Sequence, residues 1–356
     1  MNFTNPSLSW SGWPATLEPQ QSALGLLFVV LTLTLTYVSI PGRHDHLPHI
    51  NRPPTWDFFG RKTKQHFVMN ARSLMKNARE AFKGKPYRMF TDVGDLIVIP
   101  SQHADEIRNE RSLDFLKVFV ENFHPNIPGF EGFTFDGRED HLLHRTINKK
   151  ITKLLTTETM LRLMERPQLI EAVRAEMVGV LRAEGWTKLA LYNMKLLDSC
   201  IKEAQRLKPT TSATMNRKAM GQVRLSNGLV LEKGDQCLTD LGSMVDPNNY
   251  PNPLEFDGYR FIRMRGDPKM DSKAHLVSTS AAHMGFGHGM HACPGRFFAS
   301  NEVKVLLCHL LLKYDWKLGS GYEHTIQEFG LSLSSGGAAK VSVARRQNAE
   351  VDIDNL

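Results

Sequence analysis

One short segment carries side chains whose types and spacing suit chemistry. Phe286-Gly287-His288-Gly289-Met290-His291-Ala292-Cys293-Pro294-Gly295-Arg296 combines a thiol, two histidines, a basic side chain and three glycines ahead of an apolar run. Glycine lacks a Cβ, so such a backbone closes tightly against a flat object. A cysteine just before a helix meets the partial positive charge and free N–H groups of the helix amino terminus, which favour the thiolate. Flanked by an aromatic and a basic side chain, that thiolate suits the axial position of an iron porphyrin. There it donates electron density to the metal and promotes O–O cleavage.

Other readings of the same residues stay in view. Gly285, Gly287 and Gly289 suggest a phosphate cradle, but no strand or dinucleotide unit precedes them. His283, His288, His291 and Cys293 suggest a zinc site, but the loop is too compact to place four ligands tetrahedrally without strain. Each histidine taken alone reads as a surface residue. Cys200, Cys237 and Cys308 read as structural. With four cysteines and no CxxC pair, a disulfide scaffold and a tetra-cysteine zinc module are excluded.

The spacing Phe286-x-x-Gly289-x-His291-x-Cys293-x-Gly295 resembles the haem-binding signature of the cytochrome P450 monooxygenases. The resemblance implies haem b as cofactor, with its iron bound by the Cys293 thiolate. Phe286 would shield the sulfur, Gly289 and Gly295 would shape the loop, and His291 would reach a haem propionate. Glu203 and Arg206, three apart on one helix face, resemble the family's ExxR pair. The segment Phe256-Asp257-Gly258-Tyr259-Arg260-Phe261 resembles its aromatic–arginine element, so Arg260 would complete a buried structural network with that pair. Arg217, in Met215-Asn216-Arg217-Lys218, stands where the family often places a propionate-binding arginine. Its planar fork suits a carboxylate, though an ordinary strand-edge cation is the alternative. His141-Leu142-Leu143-His144-Arg145 resembles the family's WxxxR helix with His141 in place of tryptophan, and makes Arg145 a second propionate ligand.

Several elements must position these groups. Asp95-Leu96-Ile97-Val98-Ile99-Pro100 reads as a short buried strand ended by proline, after which Ser101 caps a helix with Asp105 and Glu106 in its first turn. A helix from Pro167 to a stop at Gly185 places Leu169, Ile170, Val173, Met177, Val180 and Leu181 on one face. A second helix spans residues 188–208, with Met194, Leu197, Ile201, Ala204 and Leu207 inward and Pro209 ending it. A third starts near Arg296 and carries Val303, Leu306, Leu307, Leu310 and Leu311. Strand-like pieces at residues 223–231 and a Pro/Asn-rich meander at 246–253 lie between. The fold class is mainly α with a small β part, a cytochrome P450-like fold.

The amino-terminal part reads differently. Residues 22–40 carry no charge and, at about 1.5 Å per residue, match a hydrocarbon core of roughly 30 Å. No lysine or arginine precedes them, against a signal peptide. Arg43, Arg52, Arg61, Lys62 and Lys64 follow, which places the body of the protein in the cytosol. The expected organisation is a lumenal tail over 1–21, a transmembrane anchor over 22–40 and a haem-thiolate domain over 41–356. The localisation expected is the endoplasmic reticulum membrane, crossed once.

Within that domain something is missing. An internal deletion is expected near 155–166, where the family's long central helix should carry an acid followed by threonine for proton delivery. Thr156, Thr157, Glu158 and Thr159 offer the right chemistry in the wrong order, so no catalytic residue is assigned. The resemblance implies a monooxygenase that oxidises a large apolar substrate with dioxygen, served by NADPH–cytochrome P450 reductase. Segments 252–261 and 285–298 are similar to fungal enzymes of secondary metabolism that oxidise terpenoids, indole-diterpenes and alkaloids. A truncated, inactive remnant that still binds haem is the alternative. The net charge of +7 suits a membrane surface or an acidic partner, with Arg296 and Lys304 as expected docking residues. No nucleic-acid partner is expected.

Overall fold

In the computed structural model, residue 23 and residues 25–32, 42–130, 142–335, 339–347 and 350–356 are described, without the side chains of 142–151. The chain divides into two units, residues 1–46 and 47–356. In the first, residues 25–32 are helical. There the Thr32 hydroxyl donates back to the Phe28 and Val29 carbonyls at 2.8 and 3.0 Å, the local bond that lets threonine sit in an apolar helix. Most of the expected tail and anchor lies outside the described residues. Among the described residues, no helix is long and apolar enough to cross a membrane.

The second unit is built where apolar periodicities change. Strands β1 (His49–Ile50), β2 (Tyr87–Thr91), β3 (Gly94–Ile99), β4 (Leu113–Asp114), β5 (Ala213–Ala219) and β8 (Gln236–Asp240) form one sheet, ordered β1-β2-β3-β8-β5-β4. Strands β6 (Val223–Arg224) and β7 (Val230–Leu231) pair separately. Leu96 to Ile99 are all buried, as a strand covered on both faces requires. On one face lies α1 (Arg61–Phe82), which presents Phe67, Ala71, Met75 and Ala78 to Leu96 and Val98. On the other, Ile97 and Ile99 pack with Ala104 and Ile107 of α2 (Ala104–Ile107). Ser101 does not cap that helix. It opens a 3-10 turn and its hydroxyl accepts from the Ser243 N–H, a residue 142 positions away.

Helices α3 (Phe115–Phe123) and α4 (Leu142–Met164) lead to α5 (Pro167–Glu184), whose Pro167 and Gly185 stand at its start and stop. The expected single helix over 188–208 is two, α6 (Lys188–Asn193) and α7 (Lys195–Leu207), broken at Met194. The apolar spacing runs across the break. What separates the helices is a carboxylate from α5, because Glu176 accepts from the Leu196 and Leu197 N–H groups at 2.7 and 2.9 Å and caps α7. Helices α8 (Arg260–Arg265), α9 (Asp271–Ala274) and α10 (Arg296–Lys313) follow. The outer strands are β9 (Tyr314–Leu318) with β12 (Val341–Arg345), and β10 (Ile326–Phe329) with β11 (Ser332–Ser335). The largest core joins α4, α5, α7 and α10. Helix α4 runs without interruption through residues 155–164, where the deletion is expected, and places Leu155, Met160, Leu161 and Leu163 in that core.

Candidate functional site

The cysteine loop is closed on itself and pinned from outside. The Cys293 N–H donates to the Phe286 carbonyl at 2.8 Å, so the two ends of the motif meet. Gly287 and Gly289 have φ of +74° and +79°, the left-handed region that only glycine adopts freely. A Cβ on Gly289 would also lie 2.2 Å from the Arg108 carbonyl, so glycine is required twice over. Arg296 donates to the carbonyls of Val277 and Cys293 at 3.1 and 2.8 Å. Cys293 stands two residues before Gly295, the N-cap of α10, and packs at the edge of the core that buries Phe286. It is half-buried, whereas Cys200, Cys237 and Cys308 are buried, and burial pushes the Cys237 and Cys308 thiols up to about 12. The four cysteines therefore differ in kind, with one thiol reachable and three sealed.

Beside the loop lies an unusual guanidinium. A β-bulge between Thr214 and Arg217, with Met215 at φ +54°, breaks the β5–β8 register and re-aims Arg217. Arg217 is 2% exposed. Its Nη1 donates to the Asn216 carbonyl, while its Nε has no partner at all. Its burial pulls the pKa down to about 10. Phe115 of α3 lies 5.8 Å from this guanidinium and 6.2 Å from the His291 ring, so arginine and histidine flank one aromatic face. The His291 pKa is lowered, first by burial and then by Arg217. A buried guanidinium with an open N–H, beside a histidine of the cysteine loop, suits an anionic group, and the half-buried thiol of that loop suits a soft metal. Haem meets that description through its propionates and its iron, and the residues present fit it.

Glu203, Arg206 and Arg260 come together with every bond made. Arg206 donates to both Glu203 carboxylate oxygens at 2.8 Å, and Arg260 Nε adds a third bond at 3.0 Å. The remaining donors reach carbonyls of Met244, Pro251, Asn252, Pro253 and Glu255. Tyr250 lies under both guanidinium groups, at 4.9 and 5.9 Å. The network therefore holds the meander to α7.

Several expectations need correction. His283 and His288 are buried rather than on the surface, at 2% and 3% exposure. Loop closure folds both against elements far away in sequence. Arg296 and Lys304 are not free docking cations. Arg296 is bonded to loop carbonyls, and buried Lys304 pairs with Asp198 at 2.6 Å and donates to the Leu191 carbonyl. Among the described residues, no group of three or more His, Cys, Asp or Glu side chains is arranged to hold a metal. Glu158 is buried and engaged by Arg162 at 3.0 Å and Lys208 at 3.3 Å, while the Thr156 and Thr159 hydroxyls lack partners. Arg145 sits on α4 with its side chain outside the described residues, and His141 lies outside them entirely.

Sequence reasoning missed two contributors. Gln205 of α7 is fully buried with both amide ends unpartnered, and a Cβ on Gly285 would lie 2.4 Å from it. The end of α2 grips the loop, since the Met290 N–H reaches the Arg108 carbonyl and Asn109 Oδ1 at 3.2 and 3.0 Å. Only the glycine spacing hinted at so close an approach.

Comparison with known proteins bears on the family. The family model for cytochrome P450 matches residues 99–338. Cytochrome P450 monooxygenase 1 of Gibberella fujikuroi is 48% identical over 191 residues, covering 54% of this chain and 43% of that protein. The chain thus matches less than half the length of that relative. Cytochrome P450 monooxygenase eqxH of Fusarium heterosporum is 27% identical over 504 positions, covering 96% of this chain and 98% of that protein. An alignment of 504 positions against a chain of 356 residues leaves well over a hundred positions of the relative unmatched. The crystal structure of the cytochrome P450DA haem domain shares 23% identity at a TM-score of 0.45, covering 55% of this chain and 41% of that one.

Proposed function

Since the chain belongs to the cytochrome P450 family, we propose that it is a haem-thiolate monooxygenase of fungal secondary metabolism, held at a membrane and acting on a large apolar substrate. The observation that carries this reading is a half-buried Cys293 just ahead of α10 together with a buried Arg217 whose Nε has no partner. Cys293 would hold the haem iron, and Arg217 and His291 would hold a propionate. When bound, the haem supplies the activation of dioxygen. The chain's own residues then do three things. The Cys293 N–H bond to Phe286 and the start of α10 hold the Cys293 loop in place, Phe286 would keep water from the sulfur, and the Glu203 network keeps the meander in place. Electrons would come from NADPH–cytochrome P450 reductase on the endoplasmic reticulum membrane. A terpenoid, indole-diterpene or alkaloid suits the apolar substrate.

A second reading rests on two observations, namely the positions of the relatives that have no match here and the engagement of Glu158 in ion pairs. On that reading the chain binds haem but lacks the proton delivery needed for turnover. One preparation tests both. The purified chain, reduced under carbon monoxide, should show the red-shifted Soret band of thiolate-ligated haem, and Cys293→Ser should abolish it. Absence of haem uptake overturns both readings. NADPH-dependent oxygen consumption with reductase supports the enzyme, and its absence in haem-loaded chain supports the remnant.

A further inference from the structure

His288 and the end of α2 form a second anchor for the cysteine loop. His288 is 3% exposed and bonded on both sides of its ring. Its Nε2 lies 3.0 Å from Asp105 Oδ1 and its Nδ1 lies 3.1 Å from the Thr279 hydroxyl. An ionised carboxylate only accepts, so Nε2 donates to Asp105, and Nδ1 pairs with the Thr279 hydroxyl. Asp105 is itself placed by Arg108, whose Nε is 3.4 Å away. The next two loop residues meet the same helix end. Gly289 lies against the Arg108 carbonyl, and the Met290 N–H reaches Asn109. Three consecutive loop residues are thus gripped by Asp105, Arg108 and Asn109, about half the chain away in sequence. The opposite end of the loop is fixed by α10. Cys293 lies between the two anchors, tied back to Phe286 by its own N–H.

We propose that His288 is a positioning residue, which through Asp105 and Thr279 sets where the Cys293 sulfur sits. This rests on the haem-thiolate reading for its consequence, but not for its geometry. Removing the imidazole frees one side of the loop and leaves the Thr279 hydroxyl without its partner, so the sulfur samples more positions. Asp105 is largely exposed, so its loss acts in the same direction and less strongly.

The four cysteines supply the test, because one is half-buried and three are buried. The full chain without haem is treated with iodoacetamide, and alkylation at each cysteine is followed by mass spectrometry. His288→Ala, which removes both ring bonds, should raise the Cys293 rate roughly tenfold, and Asp105→Ala, which removes only the exposed one, roughly threefold. Cys200, Cys237 and Cys308 should stay unlabelled. Asp105→Asn keeps an acceptor oxygen and should restore the wild-type rate. In haem-loaded protein, the fraction of the reduced carbonyl complex showing the thiolate Soret band should fall in the same order at constant haem content. An unchanged Cys293 rate overturns the proposal. So does simultaneous labelling of all four cysteines in Asp105→Ala, because His288 would then support the whole fold rather than the loop. If the wild-type chain takes up no haem, the proposed function fails while the alkylation result still decides this inference.

Discussion

Two polar clusters near α7 are built on opposite principles. In the Glu203–Arg206–Arg260 network, every charged donor and acceptor has a partner and all three side chains are buried. At Arg217 and Cys293, a buried guanidinium has an open Nε and a thiol remains reachable. A buried charge without a partner is costly, so a fold keeps one only where something else completes it. The contrast separates a region that holds structure from a region shaped for a ligand.

The largest effect should come from breaking the complete cluster. Glu203→Ala leaves two buried guanidinium groups without their carboxylate, and urea denaturation should show a loss of about 3–5 kcal/mol. Gly289→Ala should cost roughly 1–3 kcal/mol from backbone strain alone, with the close Arg108 carbonyl adding to it. Arg217→Met sharpens the contrast most directly. It should leave the chain without haem unchanged or about 1 kcal/mol more stable, since it removes an incompletely paired charge. Haem titration followed by the Soret band should nevertheless show roughly tenfold weaker uptake. Loss of stability in the haem-free chain would show that Arg217 belongs to the first kind of cluster.

The smallest expected effect concerns pH. Lys202, next to Glu203, is fully buried, donates to the His275 and Ser278 carbonyls, and is pulled down to about 7 by burial. Unfolded lysine titrates near about 10.4, so above pH 7 the unfolded state holds the extra proton and stability rises with pH. Above about pH 8.5 the buried thiols act oppositely, because unfolding lets them ionise. Between pH 7 and about 8 the stability difference between Lys202→Met and wild type should therefore shift toward wild type by about 1 kcal/mol.

Much of this was legible in the chain itself. Pro167 and Gly185 mark the ends of α5, the strand before Pro100 lies where its apolar run places it, and Glu203 and Arg206 pair as their spacing implies. The failures share a cause. Nothing near Met194 announces a helix break, because the Glu176 carboxylate that caps α7 comes from another helix. Ser101 looks like a cap, yet its hydroxyl serves Ser243. Lys304 looks like a docking cation, yet Asp198 has taken it.

What the amino-acid order determined by itself is local. It set the glycines that let the loop turn, the cysteine ahead of a helix, the i,i+3 ion pair and the apolar stripes, all of which depend on neighbours within one or two turns. Tertiary structure decided which charges found partners. Arg217 is open, Lys304 is closed and His288 is held by Asp105 because residues far apart in sequence were or were not brought within bonding distance. Linear spacing carries no record of those distances. Hydrogen bonds and ion pairs act over a few ångströms, so only folding chooses among them.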